Sequence, residues 1–282
     1  MNNLKILMFH RVLPDKEIEK PNAYFSRGTA ITESKFIEIL NKIKDLNYKV
    51  LTFLEFSEKL RSNKSFENCI CLTFDDGYID NYTIAFPILK NYNFTATFFP
   101  ILDFCFHNKI SYLDFYYQII DSCNFDSKER EEFIKGKTKK RFLSMNEKEV
   151  ESFLSELQSE NDLNLSYSYN NYMNESQIRE LIENGNEIGS HTMSHRILTL
   201  LEKKEIEYEL IESKRLIQTL TGSHQISFCY PHGKFNQSII HLLKKSNYKF
   251  ACTVQLDSKD FRWAIPRIFV KENTNIEDIF QY

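Results

Sequence analysis

The stretch Cys69-Ile70-Cys71-Leu72-Thr73-Phe74-Asp75-Asp76-Gly77-Tyr78 is an apolar run closed by two adjacent carboxylates and a glycine. Its first six residues read as a buried strand, because a short continuous apolar run bounded by a turn signal fits a strand covered on both faces. Gly77 permits a tight turn directly after the carboxylates. Neighbouring side chains on a strand point to opposite faces, so Asp75 and Asp76 are expected to do different work. The plainer alternative is a pair of aspartates capping a strand-to-helix turn.

Outward from this strand the pattern alternates. Lys5 to Phe9, Lys49 to Phe53, Thr95 to Pro100, Glu187 to Ser190, Ile226 to Tyr230 and Phe250 to Val254 are strand-like. Between them lie helical patterns. Thr32 can cap a helix carrying Phe36, Ile39, Leu40, Ile43 and Leu46. Leu54 to Leu60, Asn81 to Asn91 (despite Pro87), Glu202 to Leu220 and Ser238 to Lys245 follow the helical period, and Asn174 can cap a helix ended by Gly185. Such repetition predicts an α/β fold with a mostly parallel sheet, and enough units to close into an irregular barrel. The whole chain, 1–282, is expected to be one barrel domain. Only Leu102 to Tyr172 breaks the rhythm, with charged helical patterns and no obvious strand, so it reads as a helical insertion. Within it, the basic run Lys135 to Arg141 is expected to be a solvated loop, with a phosphate contact as the minority reading. Ser166 to Tyr172 reads as a polar, Tyr-rich connector.

A second motif, His191-Thr192-Met193-Ser194-His195, follows another apolar run. Spacing of four brings two imidazoles together on one turn or in a compact loop. With one of the two aspartates they make a three-ligand set with open positions, the pattern of a catalytic metal site. The spare carboxylate can then act as a base. In Tyr230-Pro231-His232-Gly233 a strand ends in a turn where the His232 and Gly233 N–H groups can face an oxyanion; His232 is alternatively a side-chain donor or an ordinary loop residue. His10 follows the first strand and either protonates a leaving amine or is a half-buried structural histidine. Arg267 either pairs with a catalytic carboxylate and holds it ionised or is a surface arginine. His107, His224 and His241 have no supporting context.

These motifs together resemble the polysaccharide deacetylases of the NodB-homology type, carbohydrate esterase family 4. Thr73 to Gly77 matches the first motif of that family, Gly185 to His195 the second, and Tyr230 to Gly233 a Tyr-Pro variant of the third. The resemblance implies an irregular (β/α)-barrel of about seven strands. It implies Asp75 as general base and Asp76, His191 and His195 as ligands of a divalent metal, zinc first, with cobalt, nickel or manganese as alternatives. The third motif lacks the arginine that orients the base in many members, and Arg267 is expected to replace it. The Leu-x-His that carries the general acid near the C-terminus of many members is missing, and Leu7-Met8-Phe9-His10 suggests that His10 supplies it from the N-terminus.

The expected activity is hydrolysis of the N-acetyl amide of an amino sugar, free, nucleotide-linked, lipid-linked or polymeric. Alternatives are hydrolysis of another formyl or acyl amide, or a non-catalytic glycan-binding relative. Net charge is -3, which gives no global attraction to nucleic acid. No stretch reaches transmembrane length. The short apolar start, Ile6 to Phe9, does not read as a signal peptide, so a cytoplasmic location is expected. The six cysteines include no C-x-x-C pair and are expected to be buried free thiols.

Overall fold

The computed structural model describes residues 5–20, 22–62, 68–167, 171–255 and 258–280. Its strands are β1 (Ile6–Phe9), β2 (Arg11–Leu13), β3 (Ala30–Thr32), β4 (Lys49–Leu51), β5 (Cys69–Asp76), β6 (Thr97–Pro100), β7 (Glu187–Ile188), β8 (Phe228–Cys229), β9 (Ala251–Thr253), β10 (Ile265–Pro266) and β11 (Ile268–Phe269). One sheet runs β11-β1-β5-β6-β7, with β4 also pairing β5. A second runs β10-β9-β8, and β2 pairs β3. All these pairings are parallel. Two features join the larger sheets into a ring. Ser190, just past β7, bridges Phe228 of β8. At the other side β10 and β11 are one line of chain interrupted at Arg267. The result is an irregular barrel whose hydrogen bonding is not continuous.

Every residue of β5 is buried, as expected for a strand covered on both faces. Register places Asp75 opposite Phe99 and Asp76 opposite Pro100, so both carboxylates arrive at the carboxyl end of the ring. Catalytic groups gather at that end in parallel barrels because the loops there come from several strands. Gly77 turns the chain away at φ 82°, and a Cβ there would lie 2.8 Å from that of Pro100.

Helix starts follow their caps. The Thr32 hydroxyl accepts the Lys35 N–H at 3.1 Å and opens helix Glu33–Asp45, which buries Phe36, Ile39, Leu40 and Ile43. Leu46 lies past the last helical residue and is exposed. Phe53 departs from the expected strand: Thr52 and Glu55 form a reciprocal capping box, so Phe53 starts helix Phe53–Arg61. Asn81–Ala85 winds as a π-helix before helix Phe86–Tyr92. Pro87 is tolerated because the first turn needs no donor from it.

The insertion folds as helices Leu102–Phe106, Tyr112–Ser122, Ser127–Lys135, Lys137–Phe142 and Glu147–Glu160. Its Tyr116, Tyr117, Ile119 and Ile120 belong to the same hydrophobic cluster as the barrel helices. The basic run is not the expected loop. It forms the end of one helix and all but the last residue of the next, and Lys139 is buried. The middle of the Ser166–Tyr172 connector, like residues 1–4, lies outside the described residues. All six cysteines are free and buried. Among the described residues no helix is long and apolar enough to cross a membrane.

Candidate active site

Asp75 and Asp76 diverge as the strand alternation predicts. Asp75 turns into the ring, where Arg267 grips it with two parallel hydrogen bonds, Nη1 to Oδ1 and Nη2 to Oδ2, each 2.7 Å. Both groups are buried. Arg267 also donates to the Thr73 hydroxyl at 3.0 Å and lies 3.1 Å from Cys229 Sγ. Paired geometry of this kind is the strong form of a charged hydrogen bond. Burial works to raise the Asp75 carboxyl, but the Arg267 charge and hydrogen bonds outweigh it, and the group is held below the usual carboxylate range. The strand-end arginine is therefore a buried partner rather than a surface residue.

Asp76 adopts φ 72°, which swings its carboxylate out of the strand line. Its Oδ1 lies 3.4 Å from His191 Nε2 and 3.5 Å from His195 Nε2. Burial again opposes the charge, and His191, His195 and His10 reverse it, so the carboxyl is held well below its ordinary value. Ligands at about 2.0–2.1 Å from a tetrahedral zinc stand roughly 3.4 Å apart. Both separations from Asp76 Oδ1 match that spacing, the three donor atoms all lie within 4.8 Å of one another, and Asp76 Oδ1 is buried with no hydrogen-bond partner. The donor set and this orphaned oxygen fit a divalent cation. His191 Nδ1 lies 2.9 Å from the Cys229 carbonyl; donation there leaves Nε2 as the free ligand, the usual arrangement around metal-bound imidazoles. Burial pushes the His195 pKa down, while on His191 burial is overcome by Cys229 and Asp76 and the pKa rises. A second grouping, Asp75, His191 and Cys229, is also compact. It does not suit a metal, because Arg267 occupies Asp75 and burial pushes the Cys229 thiol up, keeping it protonated.

The loops that present these groups use left-handed backbone, and at the β-branched Thr192 that conformation is strained. Asp76, Thr192, His195 and His232 all have positive φ. The other non-glycine residues with positive φ are Asn or Asp, which tolerate that region. Strain of this kind persists where surrounding contacts over-determine it. One such contact is Glu209 on helix Lys203–Thr221, whose buried carboxylate accepts the Met193 and Ser194 N–H groups at 2.8 and 3.0 Å and the Ser194 hydroxyl. Sequence reasoning missed Glu209. Its signal was a carboxylate in step with the buried residues Ile206, Leu210, Ser213 and Ile217.

His10 follows β1 at the same end of the ring. Asn81 Nδ2 donates to its carbonyl at 2.7 Å, and its ring lies 5.3 Å from that of Phe269. Asp80 secures the next residues, accepting Arg11 Nε at 2.8 Å and the Val12 N–H at 2.9 Å. His10 Nδ1 is buried without a partner. Burial lowers its pKa, against the opposing charges of Asp76 and Asp75. The third motif contributes less than expected. Tyr230 donates its hydroxyl to the Trp263 carbonyl at 2.7 Å and its N–H to the Cys252 carbonyl. Pro231 has no N–H, and the Gly233 N–H is taken by the Tyr230 carbonyl at 2.9 Å. That leaves the His232 N–H, which has no backbone partner among the described residues. The His232 ring stands 4.8 Å from that of His195, and burial, followed by the charge of Arg27, lowers its pKa to about 4.

The model of the polysaccharide deacetylase family matches residues 62–116 and 133–251, more than half of the chain. The chain belongs to the polysaccharide deacetylase family. The matched residues include Asp75, Asp76, His191 and His195, and the gap between the two matched segments falls inside the helical insertion. A putative polysaccharide deacetylase of Bacillus subtilis (strain 168), YxkH, is 24% identical over 253 residues. That alignment covers 89% of this chain and 64% of the relative's length. Among solved structures, the Streptococcus pyogenes deacetylase PplD in complex with acetate aligns with TM-score 0.66 and 21% identity, covering 99% of this chain and 96% of that one. A de-N-acetylase from Aggregatibacter actinomycetemcomitans aligns with TM-score 0.64 and 20% identity, covering 99% and 98%. These likenesses establish the shared fold.

Proposed function

We propose that this polysaccharide deacetylase family member is a metal-dependent hydrolase that removes the acetyl group from the nitrogen of an amino sugar. The sugar is part of a polysaccharide, a glycoconjugate or a precursor of one. The observation that carries the reading is the convergence of Asp76 Oδ1, His191 Nε2 and His195 Nε2 beside a carboxylate, Asp75, that is held separately.

In this reading Asp76, His191 and His195 hold a divalent ion, zinc first. When bound, such an ion polarises the acetyl carbonyl and makes water acidic enough to attack near neutral pH. Asp75 takes the proton from the attacking water, and Arg267 keeps Asp75 ionised until that moment. The His232 N–H faces the oxygen that becomes negative as the carbonyl carbon turns tetrahedral. His10 delivers a proton to the departing amine. Acetate and a free amino sugar leave.

Two substitutions separate the roles. Asp76→Ala is expected to lose bound zinc and acetate release together, measured by metal analysis and acetate assay. Asp75→Asn is expected to keep the zinc and lose roughly 10²–10⁴ in kcat, the usual worth of a positioned base. Undiminished acetate release by Asp75→Asn would overturn the base assignment.

A further inference from the structure

The basic run at Lys135 to Arg141 sends four of its cations to solvent and one inward. Lys139 is 6% exposed, and its Nζ is buried with no hydrogen-bond partner. The ammonium lies 4.2 Å from the ring centre of Tyr117, with Tyr116 and Phe142 at 5.0 and 5.5 Å. Arg27 covers the same Tyr117 at 5.0 Å. Neither Arg27 nor Lys139 has a carboxylate within ion-pair reach among the described residues. Asp114 is taken up by the hydroxyls of Tyr24, Tyr78 and Tyr172, and Asp121 by Arg130 and the Ala23 N–H. The Tyr117 hydroxyl is likewise buried and unpartnered.

Two cations and a phenol thus stand together without an acceptor. A buried unpaired cation is costly, and cation–π contact recovers only part of that cost. A chain of packed rings links the cluster to the reaction centre: Tyr117 lies 5.5 Å from Tyr24, and Tyr24 lies 5.7 Å from Tyr78, two residues past Asp76. We propose that Arg27, Tyr117 and Lys139 form a subsite for a phosphate group carried by the N-acetylated sugar, close to the acetamide that is cleaved. The proposal rests on the deacetylase reading for the identity of the sugar, but not for the binding of phosphate. Three donors of this kind, two of them charged, suit a phosphate better than a neutral hydroxyl.

The test uses the full chain as purified. Calorimetric titration with inorganic phosphate is expected to show binding that Lys139→Met and Arg27→Gln each weaken at least tenfold. Lys139→Met puts an apolar chain of similar length among the rings, so its melting temperature without phosphate is expected to stay level or rise, and added phosphate is expected to raise it less than in the wild type. If Lys139→Met does not fold, Arg27→Gln, at a half-buried position, carries the measurement. Acetate release from N-acetylglucosamine 1-phosphate and from N-acetylglucosamine then gives a ratio of kcat/KM values. That ratio is expected to fall at least tenfold in either variant. Phosphate binding that is absent, or equal in all three proteins, overturns the subsite, as does loss of activity by one factor on both sugars. Phosphate binding that responds to the substitutions, with acetate released from neither sugar, leaves the subsite standing and counts against the deacetylase reading instead.

Discussion

At the scale of single residues, the decisive contact is the buried pair Arg267–Asp75. Asp75 has a lowered folded pKa, so its pairing adds stability above the ordinary carboxylate pKa, and that contribution disappears as pH falls through the folded value. The same shift keeps the base ionised. Arg267→Lys retains a charge but loses the two-pronged grip, so the Asp75 pKa is expected to rise and the acidic limb of the kcat/KM profile to move to higher pH. An acidic limb that stays in place would mean that Arg267 does not tune the base. Arg267→Met leaves a buried carboxylate uncompensated and is expected to cost about 3–5 kcal/mol in urea unfolding. His10 makes a second case. His10→Gln is expected to lower kcat by about 10²–10⁴ while zinc content, read by metal analysis, stays at the wild-type level. Loss of zinc in His10→Gln would place His10 among the groups that hold the cation. Both aspartates and the histidine pair were legible in the sequence, because each motif closes an apolar run at a strand end. The pairing of Arg267 with Asp75 stood only as one of two readings, since 192 positions separate them. The part played by Cys229 had no sequence signal, as its partners Asp75, His191 and Arg267 lie far from it and from one another along the chain.

Elements explain how such distant residues meet. Helices were legible where a cap opened them: Thr32 and Asn174 each accept a backbone N–H at the start of the expected helix. Strands of two residues, such as β7, β8, β10 and β11, carry too little period to fix a boundary, and the order around the ring depends on pairings no local pattern records. The long helix Lys203–Thr221 shows the same limit for function. Its Glu209 holds the loop that carries His195, although the helix touches no reacting group. Glu209→Gln keeps the shape and one acceptor oxygen for the Met193 and Ser194 N–H groups, but it removes the negative charge that strengthens those bonds and puts an amide donor against the Ser194 hydroxyl. Zinc affinity is expected to fall about 10–100-fold, as for other residues that orient metal ligands, and competition with a fluorescent chelator measures it. Glu209→Ala should exceed that loss if positioning is its role. Equal zinc affinity in both variants and the wild type would make the contact incidental to the site.

For the whole molecule, the question is whether the insertion is a separable cap or part of one folding unit. Its helix Tyr112–Ser122 sends Asp114 into a buried hub where Tyr24, Tyr78 and Tyr172 all donate to the one carboxylate. Arg11 lies over the rings of Tyr24 and Tyr78, at 4.4 and 4.6 Å. Tyr24 belongs to the helix before β3, Tyr78 follows Gly77 at the site, and Tyr172 closes the insertion. The hub therefore ties the insertion to the turn that presents Asp76. Asp114→Leu would strand three buried hydroxyls, each worth about 1–3 kcal/mol when left unsatisfied, whereas Asp114→Asn keeps one acceptor oxygen. The expected order of stability in urea is wild type, then Asp114→Asn, then Asp114→Leu. Because the insertion and barrel share one apolar cluster, each protein is expected to unfold in a single transition, with near-ultraviolet dichroism and bound zinc lost at the same urea concentration. Two separated transitions, or an insertion that unfolds while zinc stays bound, would show that the barrel stands alone and that the hub only decorates it.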